Sequence, residues 1–159
     1  MDFLLHFLVD GIRQSQLVNK IIHGRDDEYE LDIFVLRLTL HGNTYVSSRL
    51  YDCMEIALID LQKQLPKNTQ IICCQSCKHG NFCPFGDQDN EIFCLKEHRP
   101  SNKRDVVNLF QDYDADYFNN KKSLPHNELS HICENYVMIS DDYYTYNGWN
   151  YDINDIVTE

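Results

Sequence analysis

Alternating apolar and polar positions dominate the first part of the chain. In the segment 30–40, ELDIFVLRLTL, the residues Phe34, Leu36, Leu38 and Leu40 recur with period two and share one face of a strand. His41-Gly42-Asn43 is a turn signal, and Thr44-Tyr45-Val46 returns as an antiparallel partner. The opening run Phe3-Leu4-Leu5-His6-Phe7-Leu8-Val9 fits a buried strand or the first turns of a helix.

The period changes after Asp52. Met54, Ala57, Leu58, Leu61 and Leu65 form a stripe at helical spacing and predict a helix over 52–65. Asp52 is the expected N-cap, Glu55 sits in capping-box position, and Pro66 ends the helix. Residues 69–73 and 91–95 read as strands entering and leaving a cysteine-rich loop. Residues 101–110 predict a short helix capped by Ser101 or Asn102, with Val106, Val107 and Phe110 on one side. The expected fold is α+β: an antiparallel sheet of four to six strands, one main helix on one face and a Cys-rich loop, in a single domain over 1–159.

Composition agrees with a globular domain: 159 residues, 43% hydrophobic and 25% charged. Charge narrows the partners. A formal net charge of −11 removes the phosphate attraction that dominates nucleic-acid affinity and opposes binding to anionic lipid. It favours a basic protein partner. The chain start shows neither a basic leading region nor a small-residue cleavage site, and its apolar run is too short to span a bilayer. Together with seven cysteines, an odd number, this places the expected home in a reducing cytoplasm.

Five of those cysteines crowd into residues 73–94, CCQSCKHGNFCPFGDQDNEIFC. Cys74, Cys77, Cys83 and Cys94 supply four thiols, the number a closed structural zinc site needs. The spacing departs from paired CxxC knuckles, His79 can replace one sulfur, and Cys73 is a spectator or substitute. Two readings stay open: a zinc staple, or small buried cysteines that pack the loop.

Motifs for catalysis are weak. Asp112-Tyr113-Asp114-Ala115-Asp116 imitates the start of a calcium loop, but Tyr117 stands where Gly is required and Ser123 where Glu is. His126 and His131 are five apart, off one helical face, and read as surface histidines at a loop-to-helix entry. Cys133 beside His131 offers a nucleophile pair without a local oxyanion hole or orienting group. No phosphate-cradling loop or nucleophile elbow occurs, and an enzyme is not expected.

The last third carries the functional expectation. Residues 111–159 hold ten acidic residues against two lysines, with seven of the ten tyrosines and the single tryptophan. Asp112, Asp114, Asp116, Asp141 and Asp142 are expected to steer a basic partner. Tyr143, Tyr144, Tyr146 and Trp149 are the expected anchors. A tyrosine-rich hairpin turning at Asn147-Gly148, with some aromatics in the core, is compatible with that role.

The motifs Cys74-x2-Cys77, Gly80-Asn81-Phe82-Cys83-Pro84-Phe85-Gly86 and Asn90-Glu91-Ile92-Phe93-Cys94 resemble those of a poorly characterised bacterial family of small acidic cytosolic proteins. The resemblance covers a minor part of the chain. It implies an immunity protein that neutralises a basic toxin, for example a nuclease. The alternative is a zinc-supported adaptor that uses the Cys-rich loop, with Lys78, His79, Phe82 and Phe85, as its binding surface.

Overall fold

The computed structural model describes residues 1–86, 90–117, 124–140 and 143–150, the backbone alone at 112–117 and 126. The fold is α+β. The described residues divide into two compact units, the first formed by residues 1–72 with 149–150 and the second by those between 73 and 148.

The first unit is built on a five-stranded antiparallel sheet with the order β4-β3-β2-β1-β5. Its strands are β1 (Asp2–Val9), β2 (Ile12–Asp26), β3 (Leu31–Leu40), β4 (Asn43–Val46) and β5 (Thr69–Ile72). Two-residue turns join β1 to β2 and β3 to β4, with positive φ at Asp10 and Gly11 (50° and 78°) and at His41 and Gly42 (49° and 81°). Consecutive left-handed residues twist in the sense that the flanking strands require. Strand β2 has no counterpart in the sequence expectations. Much of it is exposed, so it lacks the alternation that marks β3, and a register shift between Ile22 and Gly24 interrupts it.

The helix α1 (Met54–Gln64) packs against β3 and β4. It buries Ala57, Leu58 and Leu61 with Phe34, Leu36, Leu38 and Leu40, as the periodicity predicts. Its N-cap is Cys53 rather than Asp52, with no side-chain cap bond. Buried Asp60 compensates elsewhere: it accepts hydrogen bonds from the Ser48 amide, from Ser48 Oγ at 3.0 Å and from Gln64 Nε2 at 3.1 Å.

The second unit carries a three-stranded antiparallel sheet, β6 (Gly80–Asn81), β7 (Glu91–Cys94) and β8 (His126–Glu128), and the helix α2 (Lys103–Tyr117). Asn102 Oδ1 caps α2 by accepting the Asp105 amide at 3.1 Å, while Asp105 reaches back to the Ser101 amide at 2.8 Å. Leu95, Val106, Phe110 and Leu124 form the core, and Phe93 meets Phe110 edge to face at 4.9 Å.

Three local expectations change. Helix α2 runs past residue 110 through the calcium-loop imitation, so that stretch is helical. Residues 126–128 form a strand rather than a helix entry. The stretch 143–150 contains bends and a turn but no strand, so no hairpin forms among its described residues. No helix among the described residues is long and apolar enough to cross a membrane.

Candidate metal centre

The cysteine loop is shaped by its own backbone. The Cys77 amide donates to the Cys74 carbonyl at 3.3 Å, and the Gly80 amide donates to the Cys77 carbonyl at 3.0 Å. Ser76 Oγ accepts the Cys73 amide at 3.0 Å and closes the same turn. Gly80 then pairs with Cys94 between β6 and β7. A Cβ at position 80 would collide with the Cys74 carbonyl and lie 2.8 Å from Ile92 Cδ1. Glycine is therefore required where β6 passes the Cys74 carbonyl.

A distant segment completes the site. The Cys74 amide donates to the His131 carbonyl at 2.6 Å, the Lys78 amide to the Val137 carbonyl at 2.9 Å, and Cys77 forms a bridge with Met138. This stitching carries Cys133 to the loop. Cys74, Cys77, Cys94 and Cys133 line one cavity of about 20 Å³, together with His79, Gly80, Ile92 and Phe93.

The electrostatics reflect that crowding. Burial pushes the Cys74 thiol well up, and the neighbouring thiols of Cys73, Cys133, Cys77 and Cys94 push it further. Burial also raises Cys77, against the backbone amides of Val137 and His79, which donate to its sulfur. Burial holds His79 below its ordinary value, and Lys78, Lys96 and Arg99 add to the effect. His79 Nδ1 is buried without a hydrogen-bond partner. Among the described residues, no three metal-ligating side chains are drawn together as a formed metal group.

Sequence spacing selects Cys74, Cys77, Cys83 and Cys94. The structure brings three of these to the cavity and packs Cys83 against the Leu95, Val106, Phe110 and Leu124 cluster. Cys133 was legible only as a possible nucleophile, because consecutive spacing does not reveal a ligand that arrives from a separate segment.

Three of the four expected anchors, all partly buried, make contacts within the second unit. Tyr144 and Tyr146 pack on the apolar cluster, and Tyr143 stands edge-on to His79 at 5.9 Å beneath the Lys78 ammonium. Lys103 lies 4.9 Å from the Tyr146 ring centre. The Phe82 amide donates to the Tyr146 carbonyl at 2.7 Å, and the Tyr146 amide donates to Asn81 Oδ1 at 2.8 Å. Trp149 is half-buried and clusters with the first unit. Asp141 and Asp142 lie outside the described residues, as do the side chains of Asp112, Asp114 and Asp116, whose backbone belongs to α2.

Comparison of the chain with protein-family models, with curated proteins and with solved structures finds no match.

Proposed function

We propose that this chain is a non-catalytic binding protein of the bacterial cytoplasm that inhibits a basic partner, as an immunity protein neutralises a toxin domain. The observation that carries this reading is the tip of the β2–β3 hairpin. There Asp26, Asp27, Glu28 and Glu30 flank Tyr29, which is 65% exposed. Asp26 Oδ1 accepts the amides of Glu28 at 2.9 Å and Tyr29 at 3.3 Å, which fixes the turn while the phenol stays exposed. An ordered aromatic among carboxylates can both attract and anchor a cationic surface. The net charge of −11 extends the attraction beyond the tip.

The test is co-expression with the products of neighbouring genes, with the wild type and with Tyr29→Ala. A stoichiometric complex that protects cells and is weakened by Tyr29→Ala supports the reading. Failure of every neighbouring product to bind removes it. The adaptor alternative retains one observation, Phe85 at 57% exposure in the loop after Cys83. Binding lost on Phe85→Ala and kept on Tyr29→Ala favours that alternative.

A further inference from the structure

The geometry points to a closed tetrathiolate site for a divalent soft metal, zinc by its chemistry, held by Cys74, Cys77, Cys94 and Cys133. This inference stands apart from the binding role and concerns the second unit alone. Cys74 and Cys77 come from one tight turn, Cys94 from the end of β7, and Cys133 from the segment bonded along that turn. Four thiols from three places face one cavity of about 20 Å³, a volume on the scale of a single water-sized body.

Two further features of the lining bear on the site. The Cys77 sulfur already receives two backbone amides, from His79 and Val137. Such bonds favour the anionic form of sulfur. Next, Lys78, Lys96 and Arg99, opposed by the single carboxylate of Glu97, act on His79, which lines the cavity, although the chain as a whole is strongly acidic. A divalent ion with four thiolates is a dianion, and these cations offset it.

Each thiol releases one proton to solvent as its sulfur binds, so zinc enters as the cation and four protons leave. No electron is transferred. With all four positions filled by protein sulfur, the site is structural.

The test uses the full chain, purified without chelator, with elemental analysis and cobalt(II) reconstitution. One metal ion per chain is expected, with cobalt absorption of tetrahedral type and thiolate charge-transfer intensity for four sulfurs. Cys133→Ser should lose the metal and Cys83→Ser should keep it. If Cys133→Ser does not fold, Cys133→His should hold cobalt with charge-transfer intensity reduced to three sulfurs. The wild-type spectrum is decisive without any variant: folded protein that takes up no metal, or shows fewer than four sulfurs, overturns the site. So does loss of metal in Cys83→Ser with retention in Cys133→Ser.

Discussion

Asn147 holds the backbone of Gln75: its Nδ2 donates to the Gln75 carbonyl at 2.7 Å, and also to the Gly80 carbonyl at 2.9 Å. Asn147 is buried, so both ends of the cysteine turn are fixed by one amide from the far end of the second unit. Asn147→Ala strands these carbonyls and should cost about 1–3 kcal/mol, read from denaturant unfolding at constant m. Asn147→Asp should cost more, because it turns a carboxylate toward carbonyl oxygens.

Gly80→Ala places a methyl against the Cys74 carbonyl and Ile92. A loss of about 1–3 kcal/mol is expected from the forced displacement. Gly24→Ala is the control, since a Cβ there meets nothing within 4 Å. It should change stability by no more than about 0.5 kcal/mol. Equal effects at the two positions would contradict the close packing at Gly80.

Asp60→Ala removes the acceptor shared by the Ser48 amide, Ser48 Oγ and Gln64 Nε2. Hydrogen bonds to a charged group in this setting support a loss of about 1.5–3 kcal/mol in thermal or denaturant unfolding. Ser48→Ala keeps the backbone donor and should lose less.

Burial pushes the Tyr136 phenol from its ordinary 10.0 up to about 12, against the Ser76 hydrogen bond, which lowers it. Its folded pKa therefore lies above its unfolded value, and the fold favours the protonated phenol. The corresponding stability is fully present below pH about 10 and is lost as pH climbs through about 12. Burial also raises Tyr51 and Tyr143, so ultraviolet phenolate absorbance should show several late-titrating tyrosines, one fewer in Tyr136→Phe.

The sheet and α1 were legible because each has a strong period. Phe34 to Leu40 alternate and are buried, and Ala57, Leu58 and Leu61 are buried at helical spacing. Strand β2 was not legible from its exposed residues, although Asp10-Gly11 is a strong two-residue hairpin signal just ahead of it. Of the cysteines that line the cavity, local spacing selected Cys74, Cys77 and Cys94. It could not find Cys133, whose place depends on backbone bonds between 131–138 and 74–78. Tyr144 and Tyr146 pack partly on the apolar cluster, which their sequence did not reveal, because residues suited to a binding surface are equally suited to a core.

The clamp from Asn147 to Gln75 spans 72 residues, which makes completion of the second unit a late event in the life of the chain. On a ribosome adding roughly 5–20 residues per second, Cys74, Cys77 and Cys94 are made several seconds before Asn147. During that interval the three sulfurs lack the segment 131–138 that bonds along their turn. Asn147 therefore closes the cysteine turn only after every cysteine that lines the cavity has been made.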